Sequence, residues 1–416
     1  MSILQGARIV VGVTGGIAAY KAADLVSKLT QAGAMVDVVM TAHAREFVTP
    51  LTFSALSQRP VWGDLWEATG EAAARHIALA ASAQLVLVAP ATANTIAKLA
   101  YGMADDMLTA IALATTAPLL IAPAMEPHML AHPATQANLA TLTQRGAHIV
   151  APAVGRLASG EFGAGRLPDT FTLLGAARLV LGTQGDLAGK RVVVSAGGTQ
   201  EPIDPVRFIG NHSSGKQGFA IAEAARDRGA QVTLVTGVTE LPTPYGVARI
   251  AAHTAQAMRD AVLAACVGAE ALVMSAAVAD FTPEVVAEQK IKKRETATVN
   301  GVDFTLRLRR TPDILADLHA MQERYPGMIR VGFAAETRAV QAAGQEKLTR
   351  KGLDLVVAND VSQPGSGFGT PTNQVTMLFR DGRILLLPEL PKEEVANHIW
   401  NAVVAMLAAR AQTKET

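Results

Sequence analysis

The chain reads as an α/β protein of two Rossmann-like domains, each built on a parallel sheet. Three observations predict this. Short apolar runs alternate with stretches of about ten to twenty residues whose apolar positions recur three or four apart, the mark of βαβ units. Three junctions repeat one pattern: Gln31-Ala32-Gly33-Ala34, Gln144-Arg145-Gly146-Ala147 and Asp227-Arg228-Gly229-Ala230. In each, a glycine just past a helix can take the left-handed conformation before a β-branched run begins. Finally, the polar, glycine-bearing stretch 182–190 separates two such series, giving domains at 1–185 and 190–416.

The elements follow in order. Strands are expected at 8–13, 35–40, 85–89 and 119–122 in the first domain. The second should place them at 191–195, 231–235, 272–276, 330–333 and 353–358. Their nearly unbroken Val/Ile/Leu/Ala character suits parallel strands covered on both faces. A helix is expected at 216–228, another with Pro312 at its first position, and an amphipathic helix at 392–410 packed on the second sheet.

Composition narrows the function. The 416 residues include 37 basic and 36 acidic ones, so a nucleic-acid partner gripped by charge is not expected. Aromatic residues make up only 4%, which disfavours stacking platforms for single strands. The single cysteine, Cys266, excludes an intrachain disulfide framework and cysteine-rich metal centres. Met1 to Gly6 lacks the basic start of a signal peptide. The uncharged stretches 77–97 and 107–125 are interrupted by Gln84, Pro90, Asn94, Pro118 and Pro123, so buried elements are expected there rather than membrane spans. These readings together give a soluble cytoplasmic protein.

The first expected strand ends in Gly12-Val13-Thr14-Gly15-Gly16-Ile17-Ala18, where small residues let backbone N–H groups approach an anion at a helix start. The spacing fails the dinucleotide fingerprint, and no acid closes the second strand, which ends in Met40-Thr41-Ala42-His43. A mononucleotide fits this better than a dinucleotide. Pro90-Ala91-Thr92-Ala93-Asn94-Thr95 follows the third strand and Pro123-Ala124-Met125 the fourth, at the sheet edge where such folds bind ligands. His76, just before the third strand, is a candidate base beside that edge, or else a structural histidine.

In the second domain, Ala196-Gly197-Gly198-Thr199 and Asn211-His212-Ser213-Ser214-Gly215-Lys216 form a glycine- and hydroxyl-rich cradle for phosphate. Gln217 stands where a Walker loop needs Ser or Thr for Mg²⁺, so that motif is rejected. Ser275-Ala276-Ala277-Val278-Ala279-Asp280-Phe281 ends another strand, and ten residues past Asp280 comes Lys290-Ile291-Lys292-Lys293-Arg294. Charge runs are usually solvated faces. Beside an acid and a phosphate cradle, this one reads as a triphosphate clamp, with Asp280 meeting a nucleotide hydroxyl or a metal.

Segments 12–21 and 90–109, with His76, 123–129 and 155–168, together resemble the FMN-dependent phosphopantothenoylcysteine decarboxylases. The resemblance implies a flavodoxin-like domain with Gly15, Gly16, Ile17, Thr41, Thr92, Ala93, Asn94, Thr95 and Met125 around FMN, and His76 as base. The flavin would oxidise the substrate thiol to a thioaldehyde that loses CO₂, and the resulting enethiol would then be reduced. Two positions depart from the family. Glu126 replaces the asparagine that binds the substrate carboxylate, and Ser159 replaces the cysteine that donates the final proton. An ionised Glu126 about 4 Å from that carboxylate would cost on the order of 4 kcal/mol at an effective dielectric near 20, unless a neighbour such as Arg166 or His128 offsets it. A thiol is also a far better acid than the Ser159 hydroxyl.

Segments 197–207, 211–218, 276–281, 290–293 and 332–337 resemble phosphopantothenate–cysteine ligase. The resemblance implies CTP and Mg²⁺, an acyl-cytidylate formed from 4′-phosphopantothenate, and its capture by cysteine. Lys290 would stabilise charge on the reacting phosphate and Asn211 would hold the acyl intermediate. CTP contacts map to Ser275, Ala276, Asp280, Pro312, Asp313, Ile314, Phe333, Lys347 and Lys351, with Asp280 also the metal ligand. Arg207, Ser213, Ser214 and Lys216 map to the substrate. The family implies a homo-oligomer through flavin-domain trimers and ligase-domain dimers. Three rivals remain: a ligase with an impaired flavin domain, a non-enzymatic flavin-binding regulator, and a nicotinamide dehydrogenase.

Overall fold

The computed structural model describes residues 2–65, 75–292, 305–336, 339–360 and 369–415. It divides into two compact units, Met1–Thr183 and Gln184–Thr416. The expected Lys293, Arg294 and Thr337 lie outside the described residues.

In the first unit the elements run β1 (Arg8–Val13), α1 (Lys21–Gln31), β2 (Met35–Met40), α2 (Pro50–Ser57), β3 (Val61–Trp62), α3 (Arg75–Ser82), β4 (Leu85–Ala91), α4 (Ala93–Tyr101), α5 (Met107–Ala114), β5 (Leu119–Pro123), α6 (Pro127–Ala131), α7 (Pro133–Gln144), β6 (His148–Ile149), β7 (Ala153–Arg156), β8 (Phe162–Arg166) and α8 (Thr170–Gly182). The sheet order is β3-β2-β1-β4-β5-β6, parallel throughout. Val11 pairs with Val38 on one side and Leu87 on the other, and all three are buried. This is the doubly wound order, and without the two-residue edge strand β3 it reduces to the flavodoxin-like one. β7 and β8 leave the sheet as a separate antiparallel hairpin. The uncharged stretches 77–97 and 107–125 resolve into α3–β4–α4 and α5–β5, and no helix among the described residues is long and apolar enough to cross a membrane.

In the second unit the order is β9 (Arg191–Ala196), β10 (Gln200–Pro202), β11 (Phe208–Gly210), α9 (Lys216–Arg226), β12 (Gln231–Thr236), β13 (Ala248–Ala251), α10 (Ala255–Ala265), β14 (Ala271–Met274), β15 (Phe281–Pro283), β16 (Leu308–Arg310), α11 (Ile314–Ala320), β17 (Ile329–Glu336), α12 (Val340–Arg350), β18 (Leu355–Asp360), β19 (Thr372–Asn373), β20 (Val375–Phe379), β21 (Ile384–Leu386), β22 (Leu390–Pro391) and α13 (Lys392–Glu415). Eight strands form one sheet, β13-β12-β9-β14-β17-β18-β20-β21. The expectation of a purely parallel sheet is corrected at its far end, where β20 and β21 are antiparallel. For β21 the reason is a tight hairpin at Gly382 (φ +89°), which returns the chain beside β20 without a crossover helix.

Both faces of this sheet are covered. α9 and α13 bury Ile221, Val395 and Trp400 against Val194 and Val273, and the Trp400 indole donates to the Ile221 carbonyl at 2.8 Å. On the other face Met258, Leu318 and Leu348 pack on Val193 and Leu272. Cys266 lies there too, and burial pushes its thiol up to about 12 against a smaller opposing pull from Arg330. It is an inert core residue.

Candidate functional site

The strand order reverses between β1 and β4 in the first unit, and between β9 and β14 in the second. Ligands of open α/β sheets sit outside the carboxyl ends of the strands at such a switch point. The singled-out loops are the ones these strands lead into, so topology brings together segments distant in sequence.

In the first unit the loop after β1 and the loop within β4–α4 are tied through Thr14. Its hydroxyl donates to the Pro90 carbonyl at 2.7 Å and accepts from the Thr92 N–H at 3.1 Å. Glycine is required at position 15, where a Cβ would stand 2.2 Å from the His43 Cβ. A cavity of about 730 Å³ opens above these loops, lined by Gly15, Gly16, Ile17, Thr92, Ala93, Met125, Glu126 and Ser159. That is ample for a mononucleotide. Its wall also carries Tyr20, Lys21 and Arg156, which the sequence reading did not assign, and Arg166, which it named as a cation able to offset Glu126. Burial, with the nearby Arg166, lowers the Lys21 pKa, which marks a crowded cationic wall.

The β7–β8 hairpin folds over this cavity as a flap. The Met125 N–H donates to the Gly165 carbonyl at 3.0 Å, and a Cβ at Gly165 would lie 2.1 Å from the Met125 carbonyl oxygen. Close backbone approach therefore needs glycine there. Glu126 caps α6, and its carboxylate accepts from the His128 N–H at 2.8 Å and the Met129 N–H at 3.3 Å. With His128 and Glu161 it forms a group whose ligand-type atoms lie within 4.8 Å of one another.

Other expected flavin-site residues lie off the cavity wall. Thr95 is buried, its hydroxyl 3.1 Å from that of Thr92, and its N–H completes the α4 cap. Asn94 is exposed on α4. Thr41 is buried at the end of β2, and its hydroxyl has no hydrogen-bond partner among the described residues. An orphaned hydroxyl beside a glycine loop suits a phosphate oxygen. His76 sits half-buried on α3 and is not among the residues lining the cavity.

In the second unit Gly197 takes φ +79°, and a Cβ at Gly198 would lie 2.8 Å from the Asn211 carbonyl oxygen. The Asn211 amide donates to the Val278 carbonyl at 3.0 Å, joining the cradle to the loop after β14. That loop is organised by Ser195, whose hydroxyl accepts from the Ser275 and Ala276 N–H groups at 3.1 Å each. The strand expected over 272–276 accordingly ends at Met274, because these two N–H groups leave the ladder for a side chain. Ser213 and Ser214 turn back to the Gly215 and Lys216 N–H groups at 3.3 and 3.5 Å, opening α9.

A second cavity, about 660 Å³, is lined by Ala276, Asp280, Pro312, Asp313, Ile314, Phe333, Lys347 and Lys351. Arg310 and Arg350 add further cations that sequence reasoning missed, since they come from separate elements. Lys347 donates to the Phe333 carbonyl at 2.6 Å, and Lys351 pairs with Asp313. Burial works to raise the Asp313 pKa, but the Lys351 ammonium and the Ala316 N–H together hold it down. Helix α11 begins at Ile314 with Asp313 as its cap, so Pro312 precedes the cap instead of occupying the first helical position.

Three expected ligase residues sit elsewhere. Arg207, half exposed, pairs with the buried Asp204 carboxylate at 2.6 Å and is not among the lining residues. Lys216 donates to the Gly369 carbonyl at 2.7 Å. Lys290 is exposed on the segment after β15 and is not among the lining residues.

Comparison with known proteins agrees with this division. The flavoprotein family matches residues 2–178, and the DNA/pantothenate metabolism flavoprotein C-terminal domain matches 187–407. The coenzyme A biosynthesis bifunctional protein CoaBC of Bacillus subtilis (strain 168) is 46% identical over 407 residues, covering 97% of this chain and 98% of that protein. The chain belongs to the CoaBC family. The protein of the same name from Escherichia coli (strain K12) is 46% identical over 401 residues, covering 96% of this chain and 97% of its own length. A crystal structure of a CoaBC C-terminal domain is 38% identical, covering 54% of this chain and 99% of that one, with a TM-score of 0.45. Members of this family are bifunctional enzymes of coenzyme A biosynthesis, and the flavoprotein match makes a flavin the cofactor of the first unit.

Proposed function

We propose that the chain performs two successive steps: CTP-dependent ligation of cysteine to 4′-phosphopantothenate, then FMN-dependent decarboxylation of phosphopantothenoylcysteine to 4′-phosphopantetheine. The observation that carries this reading is a mononucleotide-sized cavity, walled by cations, at the carboxyl edge of each sheet.

In the second unit a carboxylate oxygen of phosphopantothenate attacks the α-phosphate of CTP, and the bond to pyrophosphate breaks. Lys290 stabilises the charge that builds on the α-phosphate. Lys347, Lys351, Arg310 and Arg350 attract the triphosphate, Asp280 would hold Mg²⁺, and Phe333 packs on the base or ribose. Asn211 then holds the acyl-cytidylate while the cysteine amine attacks its acyl carbon and CMP departs. Ser213, Ser214 and the α9 N-terminus face the substrate phosphate.

In the first unit the Gly15–Ile17 loop, Thr41, Thr92 and Ala93 would hold FMN, which would supply reversible two-electron chemistry at the substrate's thiol-bearing carbon. Lys21, Arg156 and Arg166 orient the anionic substrate, and the flap excludes water. Ser159 relays the last proton onto carbon. His76 stands apart from the cavity of its own chain, so a neighbouring copy in a homo-oligomer supplies this base.

Given phosphopantothenate, CTP and cysteine, the purified yellow protein should release pyrophosphate and CO₂ and accumulate 4′-phosphopantetheine. A colourless preparation that leaves CTP intact would refute the reading. Recovery of the enethiol in place of phosphopantetheine would instead favour a flavin unit halted at Ser159.

A further inference from the structure

Two cations converge where α9 begins. Its cap residue, Gly215, is held at φ +76° and has no side chain to take up the N–H groups that follow, so the positive end of the helix stays open to an anion. Lys216 opens α9 and Lys392 opens α13, and the two ammonium groups lie close enough to repel. Neither forms an ion pair among the described residues. The Glu389 carboxylate accepts from the Thr372 hydroxyl at 2.7 Å instead. Burial, with the Lys216 charge beside it, pushes the Lys392 ammonium down to about 8. A multiply charged anion is what such a pair lacks.

The two lysines are built differently. Lys392 is buried, and its ammonium donates to the Thr370 carbonyl, to the Thr370 hydroxyl at 3.2 Å and to the Thr372 carbonyl at 2.9 Å. That uses all three of its donors. Its backbone N–H donates to the Pro371 carbonyl at 3.1 Å, and its carbonyl accepts from the Gln217 amide at 3.1 Å. The Gln217 side-chain oxygen accepts in turn from the Asn373 amide at 3.2 Å. Residues 370–373 are thus tied to the starts of both helices. Next to them, the Gly369 carbonyl accepts from the exposed Lys216 ammonium at 2.7 Å. The buried lysine fixes the loop, and the loop fixes the exposed lysine, which keeps two N–H donors for a ligand.

Resting on the assignment of the α9 start to a substrate phosphate, we propose that Lys392 is a positioning residue for a phosphoryl group seated there, acting through the 369–373 loop to place Lys216. It does not touch the phosphate, since its donors are taken. The phosphoryl group belongs to 4′-phosphopantothenate or to the CTP polyphosphate, and one experiment tells the two apart.

Pyrophosphate release by the full-length chain is measured with 4′-phosphopantothenate and with pantothenate, which lacks the phosphate. Lys392→Met keeps an apolar stem and removes the three donors. It should cut the kcat/KM preference for the phosphorylated acid about tenfold, the scale of one charge-assisted hydrogen bond. The loss should fall on KM, with kcat and the reaction of pantothenate within about threefold of the parent. If the seated group is the nucleotide's, KM for CTP rises about tenfold and the preference holds. Either result supports the seat and names its occupant. Lys216→Met, at an exposed position, should give the same shift. The double variant should lose no more than Lys216→Met alone, because the residues act as one unit. Should Lys392→Met fail to fold, Gln217→Ala cuts the tie from the α9 side and should move the same value about fivefold.

The positioning role is overturned if Lys216→Met moves neither value, or if a folded Lys392→Met (Gln217→Ala in its place) moves neither. Equal loss with both acids at constant KM for CTP also overturns it. A parent chain that releases no pyrophosphate from CTP refutes the ligase reading itself, a result distinct from silent variants of an active parent.

Discussion

Replacing Glu126 with asparagine tests how the flavin unit reads its substrate. The Glu126 carboxylate lines the cavity beside Arg156 and Arg166, but its hydrogen bonds go to the two N–H groups that open α6. If the substrate carboxylate docks about 4 Å away, repulsion would reach roughly 4 kcal/mol at an effective dielectric near 20, and about 1 kcal/mol in bulk water. Glu126 is only half-buried, and its charge is partly answered by those N–H donors and the arginines. The lower figure therefore applies, a factor of about five in affinity. Asparagine is itself a good cap, so the start of α6 should survive. Glu126→Asn should then lower KM for phosphopantothenoylcysteine about fivefold, measured by CO₂ release. Raising the salt concentration weakens the pull of Lys21, Arg156 and Arg166 on the anionic substrate in both proteins, so KM should rise in both but rise less in the parent, whose repulsive pair is screened as well. An unchanged or higher KM, with the same salt response in both proteins, would show that Glu126 does not face the substrate carboxylate.

Two further outcomes follow from the same unit. Gly15→Ala would press a Cβ to 2.2 Å from the His43 Cβ and 2.8 Å from the His43 backbone carbon, neither of which can swing away. It should cost about 1–3 kcal/mol of stability in thermal unfolding and strip the visible flavin absorbance after gel filtration, whereas a yellow, fully stable variant would refute the close approach. Ser159→Cys should raise the fraction of substrate recovered as 4′-phosphopantetheine rather than enethiol in product mass spectra, because the thiol is the stronger acid. An unchanged product ratio would place the proton donor elsewhere.

The main strands were legible because parallel strands covered on both faces must be largely apolar, as in β1, β4, β9 and β14. Strands held by neighbours outside such a core left no comparable trace. Leu308–Arg310 is exposed at every position yet pairs with Phe281–Pro283, and Ile384–Leu386 is equally exposed at the antiparallel end of the sheet. At the sites, glycine loops could be read because backbone approach demands glycine. Partnership could not. Arg207 shows no partner in one dimension, and only the fold brings Asp204 and the Ile291 carbonyl to its guanidinium. Lys21 and Arg156 likewise become neighbours of Glu126 only when the flap closes over the loop after β5.

The depth of Cys266 bears on the company this protein keeps. Free cysteine, its phosphopantothenoyl conjugate and the final product each carry a sulfhydryl, and exchange between such partners begins with a reachable thiolate. With its lone thiol sealed in the core, the polypeptide offers them nothing to trap. A cysteine installed at the exposed tip of the flap would bring acidity to the last protonation, and with it the first point at which metabolite and enzyme could become disulfide-linked.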